Sequence, residues 1–309
     1  MRLKTSLASL LLLILCSAFA GAQVLRSDDA KATDLVPTGK GYGRLATPQE
    51  QAARSAVIGA FRSGNGISYH GGPVMLNTVN VYIIWYGNWS GNSATTILPA
   101  LASSIGGSSY EHINTTYYNG SSQHVSGLVN YGGAVYDSYS RGTSLADSDI
   151  QTIVSAQISA GHLPKNTNAV YFVMTSADVN ESSGFCTQYC GWHTQGTISG
   201  SDIKYSFVGN PDRCPSACEA QTTGPNGNAG ADGMASIFSH ELEEAISDPD
   251  LNAWYDSRGE ENADKCAWTF GTESTAPNGA KYNISLGGRE YLIQRNWVNA
   301  SGGYCSMSY

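Results

Sequence analysis

The chain has 309 residues, a formal charge of −8, and few charged residues for its length, at 14%. An acidic chain poor in Lys and Arg repels a phosphate backbone, which excludes a nucleic-acid partner. An aromatic content of 10% excludes wholesale disorder and leaves a loop- and strand-rich globular protein, long enough for one large domain or two small ones.

In chain order, residues 1–22 read as an export signal. Arg2 and Lys4 supply the positive start, an apolar run follows, and small residues around Ala20-Gly21-Ala22 suit a signal peptidase. The run is too short for a comfortable bilayer span, so no membrane association is expected after cleavage. Loss of Arg2 and Lys4 takes the mature chain to −10. Residues 23–65 mix charge, Gly and Pro without a sustained apolar period and read as a weakly ordered leader or pro-region. One short helix is predicted there at 47–61, opened by Pro48, Glu50 and Gln51.

The globular domain is assigned to 66–309. Its β-branched and aromatic segment 79–86 predicts a central strand, and 94–105 predicts a helix ending before Gly106-Gly107. One or two strands are expected over 125–135, interrupted at Gly132-Gly133. A second amphipathic helix is expected at 148–160, a buried strand at 169–175 and a short strand at 204–208. After a Gly- and Asn-rich loop at 224–230, 234–246 has a strong helical pattern that Asp248-Pro249 ends. Alternating strands and helices predict one α/β (α+β) domain.

Cys16 leaves with the signal, and six cysteines remain: Cys186, Cys190, Cys214, Cys218, Cys266 and Cys305. An even number in an exported chain predicts three disulfides. Spacing suggests local pairs Cys186–Cys190 and Cys214–Cys218, with Cys266–Cys305 closing the carboxyl end. The rival is a zinc knuckle built from the two C-x3-C pairs.

Chemistry concentrates in Ser239-His240-Glu241-Leu242-Glu243-Glu244. On a helix His240 and Glu244 share a face, with Glu241 beside them. This H-E-x-x-E differs from the zincin motif H-E-x-x-H only in its second ligand, and a carboxylate can replace an imidazole on zinc. Glu241 then takes the role of general base. A third ligand is sought downstream, in Glu260 or Glu261, with Asp248 and Asp250 in reserve; Asp264 is spaced to orient the first His. His193 and Tyr255 are candidates to steady a developing oxyanion. Glu243 reads as a solvated acid on the outer helix face, and His70, His112, His124 and His162 as structural.

A family resemblance emerges from collinear segments: Tyr69-His70-Gly71-Gly72-Pro73, the strand 79–86 with Gly87, the run 170–179, Phe185-Cys186, Cys190-Gly191-Trp192-His193, Val208-Gly209-Asn210, Cys214-Pro215 with Cys218, the run 228–234, Asn252-Ala253-Trp254-Tyr255 and Ala263-Asp264 with Cys266. The chain resembles the Exordium / phosphate-induced protein 1 family. The resemblance implies a secreted or cell-wall protein linked to growth and carbon-status responses rather than to a settled reaction. In this pattern plant members lack the His matching His240, whereas the complete H-E-x-x-E resembles bacterial or fungal relatives. The resulting expectation is a zincin-like single domain with a twisted mixed sheet and disulfide-bonded loops. It would bind zinc and hydrolyse amide bonds in a peptide or cell-wall polymer. The alternative is a non-catalytic extracellular binding or signalling protein whose acidic cluster holds a structural cation such as calcium.

Overall fold

The computed structural model describes residues 34–41 and 66–309. The export signal, most of the leader and the helix expected at 47–61 lie outside the described residues.

Five strands form the central sheet: β1 (Val79–Tyr86), β2 (Val129–Asp137), β3 (Ala169–Thr175), β4 (Gly191–Ile198) and β5 (Ser201–Val208). Their spatial order is β2-β1-β3-β5-β4. Four strands run parallel, and β4 pairs antiparallel with β5 at the edge. β3 is buried at every position and β1 at all but Asn80, as strands covered on both faces must be. The expected strands at 79–86 and 169–175 thus form the middle of the sheet. The strand expected at 204–208 begins three residues earlier, and β4 was not anticipated. The two glycines in β2 do not break it. They form a bulge opposite Val81 and Tyr82, where a Cβ on Gly132 would overlap the Tyr82 ring.

Three helices accompany the sheet: α1 (Ala94–Ala102), α2 (Asp147–Ser159) and α3 (Ala229–Ser247). α1 packs on α3, while α2 covers β3 and β5. The chain moves from β1 outward to β2 and back past β1 to β3, and right-handed crossovers therefore place α1 and α2 on opposite faces. α3 crosses beneath β3, β5 and β4, with Phe238 against Phe172 at 4.6 Å between ring centroids. Among the described residues no helix is long and apolar enough to cross a membrane.

The disulfides correct the local pairing. They are Cys186–Cys214, Cys190–Cys218 and Cys266–Cys305. Cys214 and Cys218 flank one helical turn, Pro215–Cys218, and project the same way with sulfurs 3.7 Å apart. Both therefore reach across to the loop entering β4 instead of to each other. Each bridge stabilises by on the order of 3–4 kcal/mol in the chain-entropy account. With these four sulfurs oxidised in pairs, the C-x3-C zinc knuckle does not form.

Glu243 is a second correction: it is fully buried. The carboxyl-terminal hairpins, which include Arg289–Tyr291 and Asn296–Val298, cover the face of α3 that a two-layer reading leaves in water. Glu243 Oε2 accepts a 2.6 Å hydrogen bond from Asn296 Nδ2 and lies beside the buried carboxyl of Glu111. Burial pushes Glu111 up to about 7 and Glu243 well above its ordinary value. An acid whose folded pKa is raised favours the fold below its unfolded pKa of about 4.5 and loses that contribution as pH rises through about 7. Denaturation midpoints measured from pH 4 to 8 should therefore fall less steeply for Glu111→Gln than for the wild type. Parallel curves for the two proteins would show that this pair does not govern the slope.

Candidate metal centre

α3 begins where Asn228 Oδ1 accepts from the Ala231 amide at 3.0 Å, a side-chain N-cap. It then carries His240 and Glu244 one turn apart, and His240 Nε2 lies 3.0 Å from Glu244 Oε1. A short helical turn, Asp264–Cys266, tied down by the Cys266–Cys305 bridge, brings in Asp264. Its Oδ1 lies 3.4 Å from His240 Nε2, and its amide donates to Glu244 Oε1 at 3.0 Å.

The second wall is the edge strand. Gly191 lets β4 approach α3 closely, because a Cβ there would overlap Ile237 and crowd Glu241. Two residues on, His193 Nδ1 lies 3.5 Å from Glu241 Oε2 and from Glu244 Oε2, and its Nε2 lies 3.5 Å from Glu261 Oε1. Two overlapping groups result, His193–Glu244–Glu261 and His240–Glu244–Asp264, each compact enough to surround one metal ion. Glu244 belongs to both, and its two oxygens face different imidazoles.

All of these side chains but Asp264 are buried, and Asp264 keeps 10% of its side chain exposed. Both Glu241 oxygens, Glu244 Oε2, Glu261 Oε1 and Asp264 Oδ1 are buried without a hydrogen-bond partner among the described residues. Charge responds to this crowding. Burial alone would push the His193 and His240 imidazoles down, but the surrounding carboxylates outweigh it and hold both well above the usual histidine range. Burial pushes Glu241 up to about 7, Asp264 up to about 6 and Glu261 well above its ordinary value. Glu244 is the exception: burial would raise it, yet His240 and His193 hold it at about 2. Protons thus neutralise a cluster that contains more carboxylates than imidazoles.

The structure brings together His240, Glu241, Glu244, Glu261 and His193. It separates the other sequence candidates. Glu260 is half-exposed and paired with Arg258 at 2.7 Å. Asp250 pairs with Lys204 at 2.6 Å. Tyr255 stacks on His70, with ring centroids 3.5 Å apart. Asp248 closes the end of α3: its Oδ1 accepts from the Asn252 and Ala253 amides at 2.6 Å each, while its carbonyl oxygen lies 3.4 Å from His193 Nε2. Asp264, sought as an orienting group for His240, stands instead on the Nε2 side. Gln294, which no local pattern flags, contacts the Nδ1 side.

Fold and site together define a disulfide-bonded α/β domain with a buried histidine–carboxylate cluster between a central helix and an antiparallel edge strand. The chain belongs to the phosphate-induced protein 1 family, whose model, described as the phosphate-induced protein 1 conserved region, matches residues 67–307. It is 30% identical to Protein EXORDIUM-like 3 of Arabidopsis thaliana over 279 residues, covering 78% of this chain and 82% of that protein. It is also 30% identical to Protein EXORDIUM-like 5 of the same plant over 272 residues, covering 75% of each. Protein EXORDIUM itself is 28% identical over 229 residues, 64% of this chain and 70% of its own length. No solved structure matches the chain.

The geometry gives Asp248 a structural task that can be measured without any metal. Asp248→Ala leaves two buried amides without an acceptor and should cost about 2–4 kcal/mol of unfolding free energy, at roughly 1–3 kcal/mol per orphaned group less relaxation. Urea titration with added chelator checks this, and an unchanged midpoint would assign Asp248 elsewhere.

Proposed function

We propose that this protein is a zincin-like, zinc-dependent amide hydrolase of the extracellular space, acting on a peptide or wall polymer. One observation carries the reading. Four carboxylates and two imidazoles converge in a buried site, and no Lys or Arg among the described residues forms an ion pair with them. Buried charge of one sign needs a counter-charge, and a dication supplies it in the space protons otherwise fill. Two imidazoles within the cluster suit zinc better than calcium, which prefers an all-oxygen shell. Placement beside an antiparallel edge strand supports the zincin-like comparison, since such a strand offers backbone groups to an extended substrate.

His240, Glu244 and Asp264 would hold the ion. A bound zinc ion supplies a Lewis acid that polarises a carbonyl and acidifies water. Glu241, close enough to the ligands to reach an attacking water, takes its proton and delivers it to the leaving nitrogen. Its pKa, raised by burial, suits that exchange near neutral pH. Glu261, facing His193 Nε2, keeps that imidazole cationic, and His193 steadies Glu241 and the negative charge that develops on the substrate oxygen. Three disulfides and the absence of a membrane-crossing helix among the described residues fit an oxidising, extracellular setting.

Elemental analysis of protein purified without chelator should find about one equivalent of zinc, and His240→Ala should reduce it to under about a tenth. Glu241→Gln should keep the metal yet lower hydrolysis of a mixed peptide substrate by at least about 100-fold. A wild-type protein that carries no transition metal and takes none up from added zinc would refute the proposal.

A further inference from the structure

The amino-terminal segment 34–41 does not lie at random on the domain. Its Leu35 amide donates to the Ser257 carbonyl at 3.2 Å, and Asp34 meets His70 Nε2 at 3.2 Å. It then runs alongside the free edge of β4, where the His193 amide donates to the Gly39 carbonyl at 2.9 Å. A Cβ on Gly39 would overlap the His193 carbonyl, and one on Gly41 would overlap the Asp264 carboxylate. The backbone of Gly39-Lys40-Gly41 therefore passes directly over the point where the buried cluster reaches the surface, and only glycine allows that approach at both positions.

Between these glycines Lys40 lies in a partly open niche of polar and aromatic side chains. Its Nζ donates to Asp147 Oδ2 at 2.7 Å and to Ser183 Oγ at 2.8 Å. It also lies 5.0 Å from the Tyr189 ring centroid and 5.8 Å from that of Trp192, within cation–π range. Behind this shell, the buried Glu181 receives hydrogen bonds from Tyr189 and Ser183, which holds both in place. Trp192 adjoins His193 on β4, so the cation pocket and the metal centre share one strand.

We propose that this is a binding site for a peptide with a basic side chain between two glycines, bent at the first glycine and laid against the edge of β4 at His193, and that residues 34–41 occupy it as the chain's own ligand. The sequence class is Gly–Lys/Arg–Gly. Its catalytic meaning rests on the hydrolase reading, whereas the pocket itself does not. The segment would then hold the site closed until it is displaced, and a competing peptide must overcome that internal occupant.

The test uses the full chain in excess chelator and a fluorescein-labelled synthetic peptide, Asp-Leu-Val-Pro-Thr-Gly-Lys-Gly, followed by fluorescence polarisation. Lys40→Ala and Lys40→Gln chains, whose own segment has lost its anchor, should bind the peptide at least about tenfold more tightly than wild type. A peptide with Gln in place of its Lys, or an added Asp147→Asn substitution in the Lys40→Gln chain, should lose about tenfold of that affinity. Equal binding by wild-type and both Lys40 variants, or equal binding of the Lys and Gln peptides, would overturn the proposal; both Lys40 variants first have to show the wild-type thermal transition. Lysine-selective binding by a chain that takes up no zinc keeps the pocket and removes the hydrolase. Hydrolysis with no preference for the basic residue does the reverse.

Discussion

Carboxylates buried with too few positive partners are the constraint on which this molecule turns. Glu241, Glu244, Glu261 and Asp264 crowd together with two imidazoles in a space largely shut off from the surface, and their mutual repulsion is relieved by protons or by a cation. Such a cluster destabilises a fold unless something offsets it. The surrounding architecture is correspondingly over-built: a helix enclosed on every side, a five-stranded sheet above it and three covalent cross-links around it. Two of those bridges fasten the loop entering β4, and the third fastens the turn carrying Asp264, so the disulfides sit where the cluster's walls would otherwise spread.

The sheet explains how the walls meet. Three parallel strands arise from crossovers in which local hydrophobic pattern and handedness suffice. β4 is different: it enters antiparallel ahead of β5, joined to it by a hairpin, and ends the sheet, leaving one backbone edge open beside α3. An open edge invites pairing with another strand. Here the chain's own residues 34–41 lie against that edge without forming a strand, and the residue whose amide they engage, His193, is also a member of the cluster. Edge contact and the buried histidine–carboxylate cluster thus coincide on a single strand.

Much of this was legible in one dimension. Strands β1 and β3 announce themselves as uninterrupted apolar runs, α3 as a 3.6-residue pattern, and His240 with Glu244 as a pair one turn apart, because each depends on neighbours within a few residues. The family could be read from collinear motifs for the same reason. That the six cysteines from Cys186 onward would be oxidised in pairs was also legible, though not which pairs.

What only the tertiary structure decided involves distance along the chain. Cys186 meets Cys214 because a helical turn aims both of its sulfurs outward. Glu243 is buried because hairpins some fifty residues later fold over it. Asp264, rather than Glu260, reaches His240, since Asp264 stands on the turn that the Cys266–Cys305 bridge ties against α3 whereas Glu260 precedes that turn and pairs outward with Arg258, and spacing alone cannot say which faces inward. His193 enters from the edge strand and Gln294 from the link between Arg289–Tyr291 and Asn296–Val298, neither carrying a motif of its own. A side chain's direction follows from local backbone geometry, but its company depends on which distant surface the whole fold packs against it, and that information resides in the sum of many weak contacts rather than in any short stretch of residues.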